Sequence, residues 1–179
     1  DEDVINGGLA DRKVAIFPYS PSMAPEVLDQ VKQFVEGGGK VFLFYSLDAG
    51  MGELLGVKSA GWKQRGDADP FAKVAFDAGD IQGLPSEMRQ DSWNTNVPEP
   101  TRPDAKIIGW WTNNEGERSG DPAMVLSDTG VYLGHVLTNA DREAKQQMMT
   151  ALIGLFVPEV WSRKANRALK DVAGVGPFA

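Results

Sequence analysis

The stretch from Lys13 to Gly56 constrains this chain more than any other. It reads as strand, helix, strand and tight turn: KVAIFPY, PEVLDQVKQFVEGGG, KVFLFYSLDAG and MGELLG. Residues 14–19 are a near-continuous apolar run, the pattern of a strand buried on both faces. Pro25 suits the first helical position, and Glu26 behind it suits the positive end of the helix dipole. Val27, Leu28, Val31, Phe34 and Val35 then fall on one helical face. Gly37-Gly38-Gly39 ends that helix, because glycine takes a left-handed cap without steric cost. Residues 41–45 (VFLFY) are a second buried strand. A crossover of this kind is right-handed almost without exception, so the two strands are predicted to be parallel neighbours.

Beyond this unit the pattern loosens. Residues 73–77 (KVAFD) read as a strand, whereas 82–104 hold four prolines among Asn, Asp and Ser and read mostly as loop. A strand is expected over 105–112 (AKIIGWWT), then a polar turn over 113–121. The segments 123–127 and 131–137 flank Asp128-Thr129-Gly130, a hairpin signal. Thr138 and Asp141 resemble a capping box for a helix whose inner side carries Ala144, Met148, Leu152, Leu155 and Phe156. Pro158 is expected to start a last helix through Val160, Trp161, Ala165, Ala168 and Leu169.

Charge and composition remove several function classes. A net charge of −7 argues against nucleic acid or an anionic membrane as partner, since both need concentrated Lys and Arg. No apolar run approaches the ~20 residues of a membrane span. With no cysteine, disulfides, thiolate metal sites and cysteine nucleophiles are all excluded, and the single histidine, His135, cannot build a multi-histidine metal site in one chain. No cofactor or resident metal is expected. Asp1-Glu2-Asp3 does not read as the basic region of a signal peptide, and the compartment stays open between periplasmic, secreted and cytoplasmic.

The run GGLADRKVAIFPYSPSMAPEVLDQVKQFVEGGGKVFLFYS, continuing to ELLGV, resembles the class I glutamine amidotransferase-like superfamily in its non-amidotransferase branches. Similar wording occurs in trimerisation-type domains of β-galactosidases, in ThuA-like proteins and in domains attached to glycosidase-like barrels. The later DTGVYLGHVL is similar to their strand ending in Gly-His. The clear resemblance covers about residues 7–57, with a weaker echo over 123–156. Where true amidotransferases carry a cysteine in the turn after the central strand, this chain has Ser46-Leu47-Asp48-Ala49-Gly50, and no His-x-Glu follows at His135. The resemblance thus implies the fold without glutaminase chemistry. It implies an accessory domain, with neighbouring domains of a parent protein as partners and a homo-oligomer and carbohydrate as further candidates.

Each candidate site has a plain structural reading beside it. Ser46 and His135 could serve as nucleophile and base, oriented by Asp48, because a serine hydroxyl needs an adjacent base to react. The turn lacks G-x-S-x-G, and the plain reading is a turn serine and a hydrogen-bonded strand-end histidine. Gly50 to Gly56 superficially matches a dinucleotide fingerprint, but its third glycine falls one position late and a glycine-rich helix start fits better. Asp67, Asp69, Asp77 and Asp80 lack the spacing of a calcium loop. Trp110 and Trp111 are consecutive on a strand and must face opposite ways, and Trp161 sits on a helical apolar face. Trp62 and Trp93 lie in loop-like stretches, where they could meet a ligand together with Ser46 and Asp48. Arg163, Lys164, Arg167 and Lys170 give the final helix a basic side, either a solvated face or a docking surface.

The expected fold is α/β over residues 1–179, one domain of a longer multidomain protein: a mostly parallel, flavodoxin-like sheet with helices on both faces, an edge hairpin and a C-terminal helix. The expected function is a non-catalytic accessory domain supporting assembly or substrate presentation in a carbohydrate-processing protein. The alternatives are a serine-dependent hydrolase using Ser46 and His135, and a sugar or small-molecule binding module at the C-terminal edge of the sheet.

Overall fold

Residues 41–44 and 130–133 form the centre of the structure because they are apolar on both faces and almost wholly buried. A computed structural model describes residues 2–77 and 79–163. In chain order the elements are α1 (Glu2–Ile5), β1 (Val14–Phe17), α2 (Pro25–Glu36), β2 (Lys40–Phe44), α3 (Ala49–Leu55) and β3 (Val57–Gln64). These are followed by β4 (Lys73–Phe76), β5 (Glu87–Arg89), β6 (Asn94–Pro100), β7 (Lys106–Thr112), β8 (Arg118–Ser127), β9 (Gly130–Leu133) and α4 (Arg142–Phe156). Seven strands form one sheet in the order β1-β2-β9-β8-β7-β4-β5, and β3 and β6 pair as a separate two-stranded ribbon.

The first βαβ unit is as the sequence predicts. β1 and β2 are parallel, with Val14 opposite Lys40 and Phe17 opposite Leu43. Pro25 opens α2, and the left-handed residue after it is Gly38, with φ +94°. However, β1 is the sheet edge, so Ile16 is exposed where burial on both faces was expected. The sheet is also mixed. β2 pairs with β9 in parallel, but β8, β7, β4 and β5 continue antiparallel, so a mostly parallel flavodoxin-like sheet is not what forms. The β8–β9 hairpin turns at Asp128-Thr129 as expected, yet it lies in the middle of the sheet instead of at its edge. A hairpin whose second strand is apolar at every position cannot sit at an edge without exposing one flank of its backbone.

Alternation along the strands sorts the core into two layers. Val41, Leu43, Val125 and Tyr132 pack with Val27 and Val31 of α2 and with Met51 and Leu55 of α3. Phe42, Phe44, Met124, Val131 and Leu133 face the other way, onto Met148, Ala151 and Leu152 of α4. Each fully buried Phe or Leu in such a layer contributes roughly 1.5–3 kcal/mol relative to exposure. Trp111 is buried in the α4 layer while Trp110 stacks with Arg118 outside, so the consecutive pair does face opposite ways.

Several local expectations change. α4 is capped by Asp141, which accepts from the Ala144 N–H, and Thr138 instead donates to the Gln90 carbonyl. Leu155 on that helix is exposed. The stretch read as loop contains β5 and β6; Pro98 and Pro100 are tolerated because β6 pairs with β3 alone. Residues 159–163 are helical, and Trp161 packs over Gly154 of α4 and over Gly83. Of the expected basic helix side, Lys164, Arg167 and Lys170 lie outside the described residues, as do Ala165, Ala168 and Leu169.

One glycine sets the sheet's centre. Gly130 has φ +153°, and a Cβ there would stand 1.8 Å from the Val41 carbonyl oxygen. Gly130→Ala is therefore expected to cost about 3 kcal/mol more than Gly120→Ala, a positive-φ glycine with open space around it. Urea denaturation of the two variants checks this; equal midpoints would show that the approach of β9 to β2 is not limiting.

Candidate functional site

The C-terminal ends of β1, β2 and β9 open at one edge of the sheet, where open α/β sheets place ligands. The chain leaves β2 through Tyr45, whose φ of +71° is left-handed. A bulky residue there costs of order 1–3 kcal/mol and persists only where surroundings over-determine it. The Tyr45 N–H donates to the Leu133 carbonyl at 2.8 Å, and its own carbonyl accepts from the Tyr132 hydroxyl at 2.7 Å. Burial pushes the Tyr132 phenol well above the usual tyrosine range, which keeps it a donor. The Tyr45 hydroxyl in turn accepts from Asn94 Nδ2 at 3.1 Å.

Around Tyr45 stands a row of rings. Its centroid is 4.9 Å from Trp62 and 5.2 Å from His135, both edge-on, and 5.8 Å from Tyr19. Trp93 packs edge-on to His135, at 4.2 Å. Tyr19, Trp62 and Trp93 are each about half exposed, at 57%, 50% and 52%. Between Tyr19 and Trp62 an open cleft of about 480 Å³ is lined also by Ser46, Ser59, Gln64, Asn94 and Asn96. The β3–β6 ribbon supplies Trp62, Ser59, Gln64, Asn94 and Asn96. It is docked by the Asn96 N–H on the Gly134 carbonyl at 2.9 Å and by Trp111 Nε1 donating to Thr95 Oγ1 at 3.0 Å.

Ser46 and Trp62 thus share a cleft, whereas Asp48 and Trp93 do not line it; Trp93 packs on His135 instead. Ser46 and His135 are not hydrogen-bonded to each other. His135 is fully buried, and its Nδ1 lies 2.8 Å from the Val136 carbonyl oxygen. A carbonyl only accepts, so Nδ1 carries the proton and Nε2 keeps its lone pair. That Nε2 is buried without a partner. Asp48 caps α3 through the Gly50 N–H at 2.9 Å and does not touch the histidine. The glycine-rich segment after it is a helix start, closed at Gly56 in the left-handed region. Asp69 and Asp77 are engaged by Arg65 and Arg118, and among the described residues no group of three or more His, Asp or Glu is placed to hold a metal ion.

Sequence reasoning missed Tyr19 and Tyr45, which read as part of or next to apolar strands, and Asn94 and Asn96, which lie on β6 within the proline-rich stretch read as loop. It also missed Lys145, which is 6% exposed and whose ammonium donates to the Thr138 carbonyl at 3.0 Å and hydroxyl at 2.9 Å, and to the Ala140 carbonyl. Burial pushes its pKa down to about 8.

No family model and no characterised protein matches this sequence. The fold is similar to part of a β-galactosidase from Rahnella sp. R3, at TM-score 0.62 and 18% identity over 78% of this chain and 22% of that one. It is similar to part of α-L-fucosidase isoenzyme 2 from Paenibacillus thiaminolyticus, at TM-score 0.58 and 19% identity over 81% and 25% of the two chains. A putative ThuA-like protein from Bacteroides uniformis matches at TM-score 0.58 and 13% identity over 88% and 75%. The chain spans about a quarter of the length of the two glycosidases. At these identities the likeness is one of fold. The β-galactosidase and ThuA-like side of the sequence resemblance is represented among these three, whereas an amidotransferase or a flavodoxin is not.

Burial, and then the nearby Lys145 charge, hold the His135 imidazole below its ordinary value of 6.5, against the opposing Val136 hydrogen bond. The unfolded chain takes up a proton near 6.5 while the fold resists it, so this contribution to stability is full above 6.5 and is lost as pH falls toward the folded value. With one histidine in the chain, a single imidazole resonance reports the titration by NMR. The expected midpoint is below 6.5 and moves up in Trp93→Ala, which uncovers the ring; a midpoint at or above 6.5 in the parent chain would contradict the burial argument.

Proposed function

We propose that this chain is a non-catalytic accessory domain of a carbohydrate-processing protein, supporting its assembly or presenting its substrate. The observation that carries the reading is the recurrence of this fold as roughly a quarter of two glycosidase chains. The fold's likeness to a ThuA-like protein supports it further. On this reading the residues 1–179 belong to a larger, amidotransferase-like architecture without glutaminase chemistry, and neighbouring domains or further copies of the chain are its partners.

The chemistry of the turn supports the non-catalytic half. A base must reach the proton it abstracts, at ~2.6–3.2 Å or somewhat more without ligand. His135 spends Nδ1 on a backbone carbonyl, its Nε2 is sealed from solvent, and Asp48 is occupied as a helix cap. The left-handed residue at the bend is Tyr45, so the backbone strain falls one residue before the serine. Nothing in this arrangement favours the serine hydrolase over the accessory domain.

The purified chain is expected to hydrolyse neither glutamine nor p-nitrophenyl acetate above buffer, and Ser46→Ala is expected to change nothing. Turnover that disappears in Ser46→Ala would replace the accessory reading with the hydrolase.

A further inference from the structure

We infer that the cleft over Tyr45 binds an uncharged pyranose unit of an oligosaccharide, an inference that rests on the carbohydrate-related reading above. Its volume, about 480 Å³, lies in the range of small-molecule sites. Tyr19 and Trp62 are half exposed on either side, and Tyr45 joins them. Large rings left half exposed at the surface keep apolar area in water, which a flat C–H face of a sugar would cover. Tyr45 is already held by hydrogen bonds at both its backbone and its hydroxyl, so a ligand meets little further cost in fixing that ring.

The polar groups of the cleft narrow the ligand class. Among the described residues the Ser46 hydroxyl and the Gln64 side-chain amide, both lining the cleft, have no hydrogen-bond partner, and Asn94 Oδ1 is buried without one while its Nδ2 is spent on Tyr45. These groups both donate and accept, as do sugar hydroxyls. A purely apolar ligand would leave them unpaired, at roughly 1–3 kcal/mol for each that is desolvated. No Asp, Glu, Lys, Arg or His lines the cleft. A carboxylate or phosphate placed there would lose water and find no cation, on a chain that is already net negative. Aromatic walls, neutral hydrogen-bonding groups and the absence of charge together describe a neutral sugar.

Calorimetric titration of the chain with cellotetraose, β-1,4-galactotetraose and β-1,4-mannotetraose, and with trigalacturonate as the charged counterpart, tests this. At least one neutral oligosaccharide is expected to bind and trigalacturonate to bind more weakly. Trp62→Ala is expected to weaken binding by about tenfold or more, and Trp62→Phe, which keeps a ring, by no more than about threefold. Trp110→Ala, at a ring that does not line the cleft, is expected to leave binding unchanged. Absence of binding by all three neutral sugars, affinity unchanged in Trp62→Ala, or trigalacturonate binding as tightly as the best neutral sugar would each overturn the site. None of these outcomes touches the non-catalytic reading, which the glutamine and ester assays decide separately.

Discussion

The parallel pairing of β2 with β9 is the contact on which the remaining architecture depends. β9 is parallel to its neighbour on one side and antiparallel on the other, so among the described residues it is the strand that joins the βαβ unit to the antiparallel half. Its four residues are all buried, and its first is a glycine pressed against the backbone of β2. The turn before it is tied in the same place. The Val41 N–H reaches the Thr129 carbonyl at 3.0 Å, Lys40 reaches the Asp128 carbonyl at 2.8 Å, and the Thr129 hydroxyl is held by Leu54 and Arg102. With β9 seated, Tyr132 and Leu133 are positioned to fix the backbone of Tyr45 from both sides. The bend at the end of β2, and through it the aromatic row, follows from the seam.

That bend also shows how a strained residue is kept. Tyr45 gains two backbone hydrogen bonds, one side-chain hydrogen bond and three ring contacts, against a backbone cost of a few kcal/mol at most. The arrangement converts conformational strain into a rigid aromatic surface. It also leaves His135 neutral beneath that surface, since its ring is enclosed by Tyr45 and Trp93 and its protonated nitrogen is committed to Val136.

Much of the first βαβ unit was legible because short-range signals agree there: Pro25 at the helix start, one apolar helical face, a glycine run at its end and two apolar strands. The hairpin around Asp128-Thr129 was legible for the same reason. Its location in the sheet was not, because the choice between edge and centre is made by a long-range pairing that no local pattern records. The ribbon was hidden by Pro98 and Pro100, which signal loop in isolation and are harmless in a strand with a single partner. Trp62 and Trp93 read as rings in loop-like stretches able to meet a ligand; both stand half exposed, but Trp62 lies on strand β3 and only Trp62 lines the cleft. Tyr45 gave no sign, since an aromatic residue at the end of an apolar strand reads as core until the backbone is seen to turn through it.

The seam and the ribbon divide two tasks between separate parts of the chain. Val41 and Gly130 pair although about half the chain length separates them, and the ribbon strands lie within the intervening segment. Closing a flexible loop of that size becomes only about 0.6 kcal/mol costlier if its length doubles. Insertions at the exposed tips of that segment are therefore cheap for the fold, while the ribbon's outer positions set the wall of the cleft. Seven of the eight residues of β3 are exposed, including Trp62, so changes there reach the surface without disturbing either core layer. Such a scaffold can vary what its rim recognises while its interior stays constant, a separation of evolvability from stability built into the order of its strands.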